Sequence, residues 1–141
     1  MTPMESKIKG DRRPNRILSA IIAAFLVAFF IKIFIFDFMI TEGRSMVPTL
    51  RPGQVVMVNH LAYGFRLPWA NTYLIRWGLP QRGDIVIFPS PLGEIAVKRV
   101  GALVGNSQFI ALGDNQDESF DSRTYGPISL NAILGKVMLL K

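Results

Sequence analysis

The segment TEGRSMVPTLRPG, from Thr41 to Gly53, presents one serine, Ser45, in a stretch punctuated by proline and glycine. A serine hydroxyl is a weak nucleophile until a neighbouring base takes its proton. The chain has no cysteine and a single histidine, His60, so composition excludes disulfides, thiolate nucleophiles and metal sites built from several histidines. A Ser-His pair would have to use His60; otherwise a lysine or carboxylate with a shifted pKa must act as the base. Taken alone, a serine in a turn is more often only a turn residue.

A second reactive side chain, Lys98, lies in the apolar run EIAVKRV, Glu94–Val100. Side chains alternate along a strand, so Ala96, Lys98 and Val100 share one face. Burial there, together with the charge of the adjacent Arg99, would lower the pKa of the lysine. A neutral lysine can accept the proton of a serine. The strand pattern by itself favours the alternative, in which Lys98 ends on the solvent face of an edge strand.

The polar segment GDNQDESFDSRTYG, Gly113–Gly126, is the third group of reactive side chains. A calcium-binding EF-hand loop that began at Asp114 would need glycine at its sixth position and glutamate at its twelfth. Those positions hold Ser119 and Tyr125, so we reject a calcium loop.

Within this segment Ser119, Asp121 and Arg123 alternate, and an extended chain would point all three to one side. Ser119 would then be able to orient a lysine amine by donating a hydrogen bond, and Asp121 would pair with Arg99 or Arg123. The alternative is an ordinary solvated acidic loop.

The run ILSAIIAAFLVAFFIKIFIF, Ile17–Phe36, is long and apolar enough to cross a bilayer. Lys32, near its far end, can snorkel to the interface. The basic residues of segment 1–16 predict that the N-terminus is cytosolic. A cleaved signal peptide is the alternative, but the run is longer than a typical h-region and no small-x-small site follows. We therefore expect a retained anchor, with Ser45 within roughly 30 Å of its end.

From residue 37 to 141 the pattern changes to short β-branched runs separated by proline and glycine. This spacing predicts one mainly β domain, a small barrel or compact sheet. The aromatic segment Leu61–Pro80 has no clear period, and we leave open whether it is a packed loop or a loop against the membrane. The predicted strands are Val55–Asn59, Asp84–Phe88, Glu94–Val100, Gln108–Leu112 and Gly135–Leu140.

The net charge of +6 is compatible with nucleic acid, an anionic membrane surface or membrane topology. The chain lacks an Arg/Lys-rich helix, zinc-finger spacing and an aromatic-interleaved basic strand, so we do not expect nucleic acid as a partner. Proximity to a membrane accounts for the charge.

Taken together and in order, these motifs resemble those of the type I signal peptidases, which are membrane-anchored Ser/Lys proteases. GRSMVPTL resembles the family's nucleophile box, and RGDIVIF with VKRV resembles the box that carries the lysine. GDNQDESFDSRTYGPI resembles the last box, and AYGFRLP matches a further stretch common in the family. The segments are Gly43–Leu50, Arg82–Phe88, Val97–Val100, Gly113–Ile128 and Ala62–Pro68.

The resemblance implies that Ser45 is the acylating nucleophile, that Lys98 is the general base and later the acid, and that Ser119 orients the lysine. The Ser45 backbone N–H would contribute to an oxyanion hole. Many members of the family add a serine hydroxyl two residues before the nucleophile, and here that position is Gly43.

The resemblance also implies structural salt bridges among Arg99, Asp121 and Arg123, and a substrate groove lined by Met46 and Pro48. The stretch Gly101–Leu112 is shorter than the corresponding stretch of most members, and GALVGN replaces the usual GLPGD-like turn. The chain is therefore similar to the short forms of the family.

We expect a single-pass serine endopeptidase that removes signal peptides from preproteins at the outer face of the bacterial cytoplasmic membrane. A mitochondrial inner membrane is the alternative location. The partners would be preprotein signal peptides and the bilayer, with no metal or cofactor, and the oligomeric state is undetermined.

Three alternative functions remain. One is a dedicated peptidase for a single substrate, such as a conjugative pilin precursor, and another is an inactive module that binds signal segments. The third, a self-cleaving Ser/Lys repressor, would need a DNA-binding domain and gives no reason for the anchor. The intact Ser45, Lys98 and Ser119 favour catalysis over binding alone.

Overall fold

The computed structural model describes residues 16–139, and its first element is the apolar helix α1, Arg16–Phe34. None of the side chains of α1 is buried, and the mean hydropathy of its most apolar 18-residue window is 2.7. At 1.5 Å per residue the helix is about 28 Å long, close to the thickness of a bilayer's hydrocarbon core. By length and composition, α1 fits a membrane anchor.

The helix ends before the predicted apolar run does, because Phe36 opens a strand, β1, Phe36–Ile40. The sequence pattern did not predict this strand, since FDFMI continues the apolar composition of the helix without a break. The predicted cytosolic segment 1–16 lies outside the described residues except for Arg16, and so does Leu140 of the last predicted strand.

A mainly β domain follows α1, so the mainly β prediction is confirmed. The strands after β1 are β2 Val55–Asn59, β3 Gly64–Phe65, β4 Ile75–Arg76, β5 Ile85–Pro89, β6 Ile95–Val104, β7 Gln108–Leu112, β8 Ile128–Ser129 and β9 Gly135–Met138. Each of the five predicted runs overlaps one of these strands, and β6 continues beyond its predicted end. Seven strands form one curled antiparallel sheet in the order β1-β2-β9-β5-β6-β7-β8.

Strand β5 is buried on both faces and separates two hydrophobic clusters. Val86 and Phe88 point into a cluster that includes Phe109, whereas Ile85 and Ile87 point into a second cluster. This arrangement explains why DIVIF is continuously apolar rather than alternating, since both faces of the strand are removed from water. The same strand pairs with β6 and so positions Lys98 opposite Val86.

The segment Leu61–Pro80, expected to be a loop, contains a small hairpin formed by β3 and β4 outside the main sheet. After β7 comes the polar segment Gly113–Gly126, which we call the acidic segment. It contains a 3-10 turn, Gln116–Glu118, and a one-turn helix α2, Ser122–Tyr125. These two turns fold the acidic segment back towards β6 and β7.

A substitution at Phe109 tests the assignment of the first hydrophobic cluster, the one into which Val86 and Phe88 point. The ring of Phe109 is fully buried and meets Phe88 edge to face at a centroid distance of 5.5 Å. We expect Phe109→Ala to lower the free energy of unfolding by about 3–5 kcal/mol through lost burial and a cavity. Urea unfolding in detergent micelles measures it. Phe38→Ala is the matched control, because Phe38 is 60 % exposed on the sheet edge, and equal losses in the two variants would contradict this assignment of the core.

Candidate active site

Ser45 lies in a turn between β1 and β2 that is closed at its base and secured by its own apolar side chains. Backbone hydrogen bonds from Thr41 N–H to the Gln54 carbonyl and from Gly53 N–H to the Thr41 carbonyl close the loop, at 2.9 and 2.8 Å. Met46 and Leu50 enter the second hydrophobic cluster. Ser45, immediately before Met46, is therefore half-buried rather than free in solvent.

Lys98 is 6 % exposed, on the face of β6 that it shares with the core residue Val100. Burial lowers the pKa of Lys98; the charge of Arg123 adds to this effect, while Asp121 opposes it. Arg99 was also expected to lower the pKa of Lys98. It does not contribute, because its side chain lies on the opposite face of the strand and binds other residues. The amine makes no hydrogen bond to the part of the chain that the structure describes.

Ser45 and Lys98 line one open groove with a volume of about 820 Å³. One wall consists of the end of β1 and the Ser45 turn, and the other consists of the first half of β6. Met46 also lines the groove, whereas Pro48 does not and is exposed. The fold thus brings the serine, the lysine and one of the two expected groove residues to a single surface.

His60 does not line this groove. Its Nδ1 lies 2.9 Å from the carbonyl oxygen of Leu134, and because a carbonyl only accepts, Nδ1 carries the proton. This arrangement gives no support to a Ser-His pair at Ser45.

Asp121, within the acidic segment, is completely buried and accepts hydrogen bonds at both carboxylate oxygens. Gly113 N–H and Ser119 Oγ each donate to Oδ2 at 2.7 Å, and Arg123 Nε donates to Oδ1 at 2.9 Å. Burial acts to raise the pKa of Asp121, but the hydrogen bonds from Arg123, Gly113 and Ser119 outweigh it and hold the pKa well below its usual range. Of the two arginines that the sequence left open for Asp121, the structure selects Arg123.

Ser119 uses its proton in the bond to Asp121, because an ionised carboxylate can only accept. It therefore does not have a proton to donate to a lysine, which was the expected direction. Its oxygen keeps lone pairs that can accept from an amine. If Ser119 orients Lys98, the lysine amine therefore donates the hydrogen bond and the Ser119 oxygen accepts it.

Arg99 instead binds Asp114, a residue to which the sequence analysis gave no role. Arg99 Nε and Nη2 meet the two oxygens of Asp114 at 2.8 and 2.7 Å, and Nη1 donates to the Gly83 carbonyl at 2.8 Å. Nη2 also lies 3.3 Å from Thr49 Oγ1. The hydrogen bond from Arg99 lowers the pKa of Asp114. This bidentate pair joins β6 to the acidic segment and to the Ser45 turn.

Gly113 and Asn115 attach the acidic segment directly to Ser45. Asn115 N–H donates to the Ser45 carbonyl at 2.9 Å. A Cβ on Gly113 would lie 2.0 Å from Ser119 Oγ and 2.7 Å from the Ser45 carbonyl oxygen, so only glycine permits this approach. The GDN motif, which begins at Gly113, was the sequence feature that indicated these roles, but the sequence alone does not show which residues the motif contacts.

The Ser45 backbone N–H makes no hydrogen bond with residues 16–139, which leaves it able to bind a developing negative charge. Gly43 has a φ of 74°, in the left-handed region that favours glycine. That conformation explains why glycine suits the position where many members of the family carry serine.

Among the described residues, no group of three or more His, Cys, Asp or Glu is arranged to hold a metal ion.

An apolar helix that fits a membrane anchor is followed by a curled β domain, and one groove of that domain is lined by a serine and a buried lysine. A family model described as signal peptidase, peptidase S26, matches residues 15–107 and 104–140. The chain therefore belongs to the S26 signal peptidase family.

Several named relatives support this membership. A signal peptidase I of Pseudomonas aeruginosa is 46 % identical over 72 residues, which cover 50 % of this chain and 25 % of that protein. A signal peptidase I of Bacillus caldolyticus is 28 % identical over 143 aligned residues, covering 73 % of this chain and 78 % of that protein. Subunit 2 of the mouse mitochondrial inner membrane protease is 32 % identical over 115 residues, covering 65 % of this chain and 59 % of that protein. The chain spans about a quarter of the length of the first curated relatives it matches.

Gly113→Ala tests the close approach of the acidic segment to Ser45. Because the new Cβ would overlap Ser119 and the Ser45 carbonyl, we expect a loss of about 1–3 kcal/mol in the free energy of unfolding from overpacking, measured by urea unfolding. Gly78→Ala is the matched control, since a Cβ there would meet its nearest atom at 3.8 Å. Equal stability of the two variants would contradict the packing described for Gly113.

Proposed function

We propose that the protein is a membrane-anchored serine endopeptidase that removes N-terminal signal peptides from exported preproteins. The observation that carries the proposal is the joint presence of half-buried Ser45 and buried Lys98 on one groove, in a chain of the S26 family. A module that only bound signal segments would need neither a nucleophile nor a lysine whose pKa is lowered.

In the proposed reaction, Ser45 Oγ attacks the scissile carbonyl carbon while its proton passes to the neutral amine of Lys98. The Ser45 backbone N–H stabilises the oxyanion that forms. The C–N bond then breaks as Lys98 returns the proton to the leaving amine, which leaves the signal peptide as an ester on Ser45. Lys98 next takes a proton from water, whose oxygen attacks the ester carbonyl carbon. The ester C–O bond then breaks as Lys98 gives that proton to Ser45 Oγ, which releases the signal peptide with a carboxylate end and restores the serine.

The supporting residues have defined parts in this proposal. Asp121 and Arg123 lock the acidic segment, and Ser119, whose proton is held by Asp121, offers its oxygen to the amine of Lys98. Arg99 joins the lysine strand to the Ser45 turn through Asp114 and Thr49. Each is a positioning residue rather than a reacting group.

The groove would receive the substrate as an extended chain, because β1 and the first half of β6 form its long walls. Met46, Leu50 and Val97 supply apolar surface there. We expect small residues to be favoured before the cleaved bond, because a bulky side chain would clash with these apolar side chains. The resemblance to the family points to the same preference.

We place the site at the outer face of a bacterial cytoplasmic membrane. The short β1 follows α1 after one residue, Ile35, so the groove begins near the end of the apolar helix. The basic residues before α1 favour an N-terminus in the cytosol, and the named signal peptidase I relatives are bacterial.

Cleavage of a preprotein with an Ala-x-Ala site, by the full chain in detergent, tests the proposal. We expect wild type to cut and both Ser45→Ala and Lys98→Met to fall to the uncatalysed background while remaining folded. Ser107→Ala is the control, since Ser107 is an exposed serine in the β6–β7 turn, and its rate should equal that of wild type. Binding without cutting by folded wild type would instead favour the inactive binding module.

The pH dependence separates a lysine base from other bases. The neutral amine is the reactive form, so the rate should be low in acid, rise as Lys98 loses its proton, and level off above its pKa. Burial lowers this pKa, so the midpoint should fall below the ordinary lysine value of about 10.4. Lys98→Arg should be inactive at every pH because the guanidinium does not deprotonate. A rate independent of pH on the acid side would exclude Lys98 as the base.

A further inference from the structure

The β3–β4 hairpin, by which we mean the whole segment Leu61–Pro80 that contains β3 and β4, exposes several large apolar side chains. Both tryptophans of the chain lie on it, with Trp69 75 % and Trp77 57 % exposed. Leu74, Ile75 and Leu79 are also exposed. Scattered apolar residues are normal on a protein surface, but a concentration of this kind within one short element indicates a contact with an apolar partner.

The exposure is built into the fold, because the hairpin is tied firmly to the rest of the domain. Arg66 Nη1 and Tyr73 Oη both donate to the Ile133 carbonyl, at 3.0 and 2.9 Å. Arg76 Nη2 donates to Asn131 Oδ1 at 2.8 Å, and its guanidinium lies over the Tyr73 ring at 4.6 Å. Polar groups thus face the domain while the apolar side chains are directed to its outside.

The position of the hairpin relates it to the membrane anchor. The ring of Phe34, the last residue of α1, stacks on Phe65 of β3 at a centroid distance of 6.1 Å with an interplanar angle of 19°. Phe34 also stacks on Phe30 within the helix. The exposed apolar surface of α1 therefore continues onto the hairpin at the level where the helix ends.

The charges of the segment suit a headgroup layer. Leu61–Pro80 contains two arginines, Arg66 and Arg76, and no aspartate, glutamate or lysine. Arginine is attracted to anionic lipid headgroups, and tryptophan and tyrosine favour the boundary between headgroups and acyl chains. Both arginines hydrogen-bond to neutral groups of the domain, but they are partly exposed and neither has a carboxylate partner among the described residues. Their positive charge is therefore matched by anionic headgroups and not by a purely apolar partner protein.

We propose that the β3–β4 hairpin is a second membrane contact, which rests in the interfacial layer of the bilayer that α1 crosses. A single helix joined to the domain through Ile35 leaves the domain free to tilt. A second attachment point fixes the tilt and therefore the height of the groove above the lipid. The inference rests on the membrane anchoring in the proposed function but does not depend on peptidase activity.

The chain provides its own probe, because its only two tryptophans lie on the hairpin. The full chain is reconstituted in phosphatidylethanolamine–phosphatidylglycerol vesicles with or without phosphatidylcholine brominated at acyl positions 6,7 or 11,12. We expect severalfold quenching of tryptophan emission by the 6,7-brominated lipid, weaker quenching by the 11,12-brominated lipid, and protection from aqueous iodide. The proposal would be overturned if neither brominated lipid quenched the tryptophan emission while aqueous iodide did quench it.

A matched variant distinguishes the hairpin from the domain as a whole. Trp69→Phe and Trp77→Phe are combined with Val55→Trp, which places the probe at an exposed position paired with Ile40, the residue of β1 farthest from α1. This tryptophan should be quenched by iodide but not by brominated lipid. Equal lipid quenching at position 55 would assign the contact to the whole domain and overturn the hairpin's specific role.

Two further outcomes are informative. Tryptophans protected from iodide but not quenched by brominated lipid would be covered by protein, such as a second copy of the chain, and the proposal would fall. Because the measurement uses fluorescence alone, it remains valid if the cleavage assay fails. Lipid quenching without cleavage would retain this inference and reject the peptidase.

Discussion

The buried carboxylate of Asp121 is the interaction on which the acidic segment depends. A carboxylate removed from water is costly unless charge and hydrogen bonds compensate it. Here Arg123 supplies the charge, while the Gly113 N–H and Ser119 hydroxyl supply further donors. These bonds close the chain from Gly113 to Arg123 into a compact unit, which then presents Asn115 to the carbonyl of Ser45. The loss of this carboxylate would release every one of these contacts together.

A second, partly buried ion pair connects this unit to the sheet. Arg99 joins β6 to Asp114, to Gly83 and to Thr49 of the Ser45 turn. Lys98, its neighbour in sequence, points to the opposite face and is desolvated there. The alternation of a strand thus gives one arginine a structural pair and leaves one lysine without a salt bridge among the described residues, so that burial outweighs the opposing effect of Asp121 on its pKa. The proposed base requires this separation, because a close carboxylate partner would favour its charged form.

The anchor and the domain are also physically coupled. The chain passes from α1 to β1 through a single residue, and Phe34 packs on the β3–β4 hairpin. A groove held in this way suits a substrate whose apolar segment remains in the bilayer while the chain beyond it is extended. The same coupling makes the orientation of the hairpin relevant to the proposed activity, although the hairpin does not line the groove.

Several features were predictable because they depend on local patterns. The apolar run predicted α1, and the short β-branched runs predicted five strands of the sheet. The alternation of side chains along the strand predicted that Lys98 and Val100 lie on the same face. The strand β1 was missed because its composition merges with that of the helix, and β3, β4 and β8 are two residues long, so their pairing depends on contacts rather than on periodicity.

Other features depended on the tertiary structure. The sequence by itself determined that a helix long and apolar enough to cross a membrane precedes a small β domain. It also determined that the serine, the lysine and the acidic segment have the order typical of the S26 family. It left Arg99 and Arg123 both open as partners for Asp121, because they carry the same charge and the sequence does not show which of them the fold brings to the carboxylate. Only the register of β6 and the path of the acidic segment assigned Arg123 to Asp121 and Arg99 to Asp114. The tertiary structure also decided the direction of the Ser119 hydrogen bond, because a hydroxyl donates to whichever acceptor the fold places beside it.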